Sequence, residues 1–279
     1  MDGEPPAVFD IAGDATRLGI LRALASAHSE DPFDPWVSYS DLQAAAGVRD
    51  NGNFNYHLDR LGDLVVTGEQ GYRLSRVGME VVSAVASGTL DTGWTWGPVD
   101  APGACHACGE PLELYYEDGV LRLTCGTDGH DVPLSVPPAL LESYDGDALI
   151  ERIAFLENNW SALTRRGVCA ECGGRVDGAV EFGGRPPEHY HYHGRCEQCG
   201  FNHGLPVGMY LLGHPAVERF FYGRGVDVRS RPFWTLPFCR RGAETVLSTD
   251  PLRLRVDVTH EGETLSLTVD RQGEIVDTE

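Results

Sequence analysis

The sequence has no lysine. All 22 of its basic residues are arginine and they face 42 aspartates and glutamates, a formal net charge of −20. Carboxylates hold water and cations where salt is molar, so the composition is expected of a protein from a salt-loaded cytoplasm. In ordinary salt such acidity argues against nucleic acid, because phosphate contacts need basic side chains. At molar salt repulsion is screened within roughly 3 Å, and net charge alone does not exclude DNA. No stretch approaches the roughly 18 apolar residues that span a bilayer, and the acidic start Met1-Asp2-Gly3-Glu4 lacks a basic segment followed by an apolar one. A cytoplasmic protein with no membrane partner is expected. No cysteine stands before residue 105. Nucleophile elbows, phosphate loops, dinucleotide fingerprints and metalloprotease helices are also missing, so an enzyme is not expected.

What is present begins with helix signals. Asp14 can cap a helix over roughly Ala15 to Ala25, with Leu18, Leu21 and Leu24 on one face. Pro32 and Pro35 mark a loop. Ser40 is expected to cap a short helix from Asp41 that stops at Gly47. A third helix, about Gly52 to Leu61, places Phe54, Leu58 and Leu61 on the core and Asn51, Asn53, Asn55, Tyr56, Asp59 and Arg60 outside. Asparagine can pair with adenine and arginine with guanine, while Tyr56 and His57 can reach phosphates. Leu64 to Thr67 and Tyr72 to Leu74, around Gly68-Glu69-Gln70-Gly71, form a hairpin with Arg73 expected near its tip. Ser75 then caps a helix with Val77, Val81, Val82 and Val85 as an apolar stripe. The order reads as a winged helix-turn-helix.

Gly13-Asp14-Ala15-Thr16-Arg17-Leu18-Gly19-Ile20-Leu21, the run Asn53 to Leu61, and Gly71-Tyr72-Arg73-Leu74-Ser75 resemble the ArsR-like winged-helix regulators, particularly those of haloarchaea. The resemblance covers about a third of the chain and implies dimeric, operator-binding regulation. Without cysteines in this region, it does not extend to metalloid sensing through the DNA-binding helices.

The cysteines are paired. Cys105-His106-Ala107-Cys108, two alternating strands and Cys125 have the layout of a zinc ribbon, with His130 or Asp128 as the fourth ligand, or with a fold that has lost its ion. Cys169, Cys172, Cys196 and Cys199 form two matching knuckles expected to hold a structural zinc, in preference to a redox dithiol pair. Between them His189, His191 and His193 alternate with Tyr190 and Tyr192. They could bind a metal or effector, sense pH, or only cover an exposed strand. Leu149, Ile153, Leu156, Trp160 and Leu163 make a heptad-like stripe. Cys239 is expected to be a buried thiol. His214 to Phe221 suggests a short helix, followed by strands over Leu252–Val258, Leu265–Val269 and about Ile275. This end resembles the zinc-ribbon part attached to some haloarchaeal winged-helix proteins.

The fold expected is α+β: a winged helix-turn-helix DNA-binding domain over 1–87, a linker over 88–103, a zinc-ribbon-like module over 104–136, a connecting amphipathic helix over 137–166, a second zinc ribbon over 167–212, and an α/β cap with antiparallel strands over 213–279. The function expected is a transcriptional regulator that binds double-stranded DNA as a homodimer through Asn51, Asn53, Asn55, Tyr56, Arg60 and Arg73, with zinc used structurally. The alternative is a scaffold resembling archaeal general transcription factors, which binds polymerase or other proteins through its ribbons.

Overall fold

The computed structural model describes residues 13–91, 93–127, 129–183 and 189–279. Helices and several antiparallel sheets make a mixed α+β protein, divided into two compact units, Met1–Asp91 and Thr92–Glu279.

The first unit opens with α1 (Ala15–Glu30), where the Asp14 carboxylate accepts from the Arg17 amide at 3.0 Å. Its buried face is Ile20, Leu21 and Leu24, with Leu18 only half-buried. Helix α2 (Tyr39–Ala45) begins earlier than expected: its cap is Ser38, not Ser40, and accepts from the Asp41 amide at 3.2 Å. Helix α3 (Asn51–Leu61) is capped by Asp50, which accepts from the Asn53 amide. A tight turn over Gly62–Leu64 leads to β1 (Val65–Gly68) and β2 (Gly71–Leu74), paired from Val65 with Leu74 to Gly68 with Gly71. Val37, just past the loop expected between the first two helices, makes a single bridge to β2 by exchanging backbone hydrogen bonds with Tyr72 at 2.8 and 2.9 Å. Helix α4 (Arg76–Ala86) starts at Ser75, whose hydroxyl accepts from the Gly78 amide. Its expected stripe divides: Val81 and Val82 pack on the core, while Val77 is exposed. Gly78 is the point of closest approach, because a Cβ there would lie 2.2 Å from the Leu64 carbonyl oxygen.

The second unit carries three sheets, each a simple antiparallel meander. The first contains β3 (Trp96–Ala104), β4 (Pro111–Glu117), β5 (Val120–Thr124) and β6 (Val132–Leu134). Half of the expected linker, from Trp96 on, is therefore strand. Its glycines and prolines do break the pairing register twice, but Gly97 is needed where the chain crosses the Leu114 carbonyl, which a Cβ would approach to 2.6 Å. Helices α5 (Pro138–Ser143) and α6 (Gly146–Arg165) follow. The second sheet is β7 (Val176–Gly183), β8 (His189–Cys196) and β9 (Asn202–Pro206). Next come α7 (Val207–Leu212), all six of whose residues are buried, and α8 (Pro215–Tyr222), capped by His214. The third sheet is β10 (Thr245–Thr249), β11 (Leu252–His260), β12 (Glu263–Val269) and β13 (Ile275–Thr278).

The modules expected between 104 and 279 share one hydrophobic core. It runs from Leu114 and Leu121 of the first sheet through Ile153 of α6, Val180 and Tyr192 of the second sheet and Leu211 of α7 to Leu254 and Val256 of the third. Buried Cys239 belongs to the same core, as expected, and burial pushes its thiol well up. The heptad stripe is only part of the inner face of α6, and Leu156 packs against the core beside it. Leu149 and Ile153 are buried, but Leu163 is 38% exposed, and the helix turns Glu157, Asn158, Ser161 and Thr164 inward. Most of these polar groups meet neighbouring elements, Asn158 Oδ1 being buried without a partner among the described residues. Asn158 Nδ2 donates to the Arg229 carbonyl at 2.6 Å, Ser161 to the Met209 carbonyl at 2.8 Å, and the Ser135 amide donates to Glu157 at 2.8 Å. Thr164 Oγ1 lies 2.9 Å from His203 Nδ1.

Candidate metal centres and a polar helix face

Three of the four cysteine-bearing turns are built alike. The first cysteine amide donates to the carbonyl five residues on, Cys105 to Glu110 and Cys169 to Gly174 at 2.8 Å and Cys196 to Phe201 at 2.9 Å. The glycine after the second cysteine returns a bond to the first: Gly109 to Cys105, Gly173 to Cys169 and Gly200 to Cys196, at 2.8 to 3.1 Å. Those glycines have φ of 82°, 73° and 76°, a region where a side chain is strained.

The turns converge in two clusters, each with its four donor atoms within 4.8 Å of one another. In one, Cys169 Sγ lies 3.8 Å from Cys199 Sγ, and Cys172 Sγ lies 3.5 Å from Cys196 Sγ. Thiolates about 2.3 Å from a tetrahedral ion stand about 3.8 Å apart, whereas a disulfide needs about 2.05 Å. All eight cysteines are free thiols, so the spacing fits an ion and not a bridge. In the other cluster Cys108 and Cys125 sulfurs are 3.5 Å apart, and His130 Nδ1 lies 3.7 Å from Cys105 Sγ and 3.6 Å from Cys125 Sγ. The fourth donor of this cluster is His130. Asp128, the other candidate, lies outside the described residues.

One thiol in each cluster is biased toward thiolate. The Cys199 amide, helped by that of Gln198, brings Cys196 down to about 6, and the Thr127 amide and hydroxyl bring Cys125 to about 6. Thiolate is the form that binds metal. Both clusters could hold a metal ion, and four protein donors leave no coordination position open for a substrate.

On α3, Asn51, Asn53, Asn55, Tyr56, Asp59 and Arg60 are exposed, and Phe54 and Leu61 are buried. His57 is also buried, with its Nδ1 3.4 Å from the Asp14 carboxylate, so it does not offer itself to a phosphate as expected; Leu58 is only half-buried. Two of the asparagines are held by α2: the Tyr39 hydroxyl donates to Asn55 Oδ1 and Gln43 Nε2 to Asn51 Oδ1, each at 2.8 Å. The Arg60 guanidinium stacks 5.6 Å from the Tyr56 ring centre. Arg73 is not at the hairpin tip, which is Glu69-Gln70; it pairs with Val66, and its guanidinium sits 5.1 Å over the Trp36 ring. Nothing in the sequence singles out Tyr39, Gln43 and Trp36. An aromatic or amide residue on a short helix carries no motif, and their roles appear only once α2 and α3 are side by side.

Residues 102–275, more than half of the chain, match the family described as Domain of unknown function (DUF7351). The chain belongs to the DUF7351 family. Residues 5–85 match a second description, Domain of unknown function (DUF7347). No curated protein and no solved structure matches. Both cysteine clusters fall inside the DUF7351 match, and the polar face of α3 falls inside the DUF7347 match. No described helix is long and apolar enough to cross a membrane.

Proposed function

We propose that this DUF7351 protein is a DNA-binding transcriptional regulator whose first unit is a winged helix-turn-helix and whose second unit contains two zinc-ribbon-like centres. The observation that carries it is the outer face of α3, where Asn51, Asn53, Asn55 and Arg60 are exposed and two of the asparagines are anchored by α2. An anchored amide that has spent its oxygen on a neighbour keeps its NH2 donors for a base edge, and fixing the side chain beforehand lowers the entropy lost on binding. With Arg60 the sole cation on the exposed side of α3, base contacts and not phosphate attraction would supply recognition. That division suits molar salt, where phosphate contacts are weak. Zinc is the ion proposed for the clusters, since it favours four sulfur and nitrogen donors in a closed tetrahedron; its role there is structural.

The test is a gel shift or genomic footprint in molar potassium chloride with wild type and Asn55→Ala/Arg60→Ala. Each lost base contact is expected to weaken the preferred site by about 1 to 3 kcal/mol, roughly five- to 150-fold. Equal occupancy of the same sites by both proteins would sink the base-reading claim.

A second reading rests on the charge of −20. It favours a scaffold that binds basic protein surfaces, such as those of polymerase, through the same folds. Co-purification with polymerase subunits and no preferred DNA sequence would decide for it.

A further inference from the structure

His189, His191 and His193 stand on one face of β8, while Tyr192 on the other face stacks on Tyr210 in the core with ring centres 4.3 Å apart. The register sets Gly183 opposite His189, Glu181 opposite His191 and Ala179 opposite His193 on β7, with Pro206 and Gly204 beside them on β9. Directly opposed residues of an antiparallel pair share a face. Three imidazoles and a carboxylate therefore project among small side chains. Gly183 makes the room: a Cβ there would lie 2.9 Å from His189 Nε2 and 3.0 Å from His191 Nδ1.

The ring spacing of His189 and His191 is close to that of two imidazoles on one ion. An imidazole bound through nitrogen has its ring centre about 3.2 Å from the metal, so two at a tetrahedral angle have centres about 5.2 Å apart. Those of His189 and His191 are 5.5 Å apart, and those of His191 and His193 are 6.2 Å apart. Glu181 Oε2 lies 3.6 Å from His193 Nδ1. His191 Nδ1 is buried without a hydrogen-bond partner among the described residues, and a buried polar nitrogen in that state calls for one.

We propose that His189, His191 and Glu181 form a third metal site, on the surface of the second sheet, for a late first-row divalent cation such as zinc or nickel. His193, beside Glu181, orients the carboxylate, as an outer partner commonly does for a ligand. Imidazole nitrogen with one carboxylate oxygen selects these ions over magnesium or calcium.

The experiment is equilibrium dialysis of tag-free, full-length protein against micromolar zinc, comparing wild type with His189→Ala/His191→Ala and with Glu181→Gln. Wild type is expected to bind one more equivalent than the double variant, and Glu181→Gln to lose about tenfold in affinity for that equivalent. Cobalt loading of each protein reports on the cysteine clusters through thiolate-to-cobalt absorption, which should be the same in all three. Equal zinc stoichiometry with intact cobalt–thiolate bands would overturn the proposal. So would phosphate binding that protects the histidines while zinc does not. If the double variant loses the cobalt bands, Glu181→Gln and His193→Ala, measured separately, take its place: both must weaken the extra equivalent, and no change in either rejects the site.

Discussion

Glu157 is a carboxyl group inside the core of the second unit, held by the Ser135 amide. Burial raises its pKa to about 7 from an ordinary value of 4.5. Between those values the unfolded chain gives up the proton that the folded chain keeps. Glu157 therefore stabilises the fold at pH below 4.5, and that contribution is lost as pH rises toward 7. Glu157→Gln keeps an acceptor for Ser135 and removes the ionisation. The variant should be more stable than wild type at pH 8, by about 3 kcal/mol, with the gap narrowing toward pH 5. Urea midpoints at the two pH values check this, and parallel pH profiles would assign the dependence to another group. Nothing in the sequence announces such a residue. A glutamate on a helix reads as solvent-facing, and the inward turn of Glu157, Asn158 and Ser161 depends on carbonyls and amides that arrive from distant segments. His57 was hidden for the same reason, since its partner Asp14 belongs to another helix.

Local elements were the most legible. Asp14 and Ser75 were readable as caps because the capping interaction spans only three residues, and the hairpin followed from glycines bracketing two polar residues. Shifts such as Ser38 for Ser40 occur where neighbouring serines offer equal chemistry. Irregular strands were not legible: β3 contains glycines and prolines that resemble a linker, and only its pairing with β4 reveals it. Close approach between elements was equally invisible, and Gly78 makes it measurable. Alanine at this helical position gains up to about 1 kcal/mol in propensity, but its Cβ would meet the Leu64 carbonyl oxygen at 2.2 Å and Leu74 Cδ2 at 2.8 Å. Packing against backbone dominates, so Gly78→Ala should destabilise the first unit by about 1 to 3 kcal/mol. A thermal melt decides the matter; a raised Tm would mean that the contact relaxes at no cost.

For the molecule as a whole, the cysteine spacing made both clusters legible, since ligands to one ion must meet at fixed distance. The number of modules was not legible. Periodicity reports that a strand has an apolar face but not which other face covers it, and here all three sheets of the second unit cover one another. Chelation should therefore act on one unit and not the other. If structural zinc is removed, the loss of binding free energy, about 10 kcal/mol or more per site, should melt the protection of amides over 93–279, while 13–91, whose core contains no cysteine, keeps its own transition. Hydrogen exchange with and without chelator, alongside metal analysis of the purified protein, would read both effects. Unchanged exchange after verified zinc loss would reject a structural role for the metal.

The inward polar face of α6 has a consequence for how this core finds a single arrangement. Leucines facing a greasy wall can slide by a residue or rotate with little penalty, because apolar contact has no direction. Asn158, Ser161 and Glu157 must each meet one particular backbone group, and a helix displaced by one residue turns about 100° and misses all of them. Each unmet group would cost about 1 to 3 kcal/mol. Helix α6 thus works as a keyed shaft: its apolar residues join the shared core, and its polar teeth determine the one angle at which it locks.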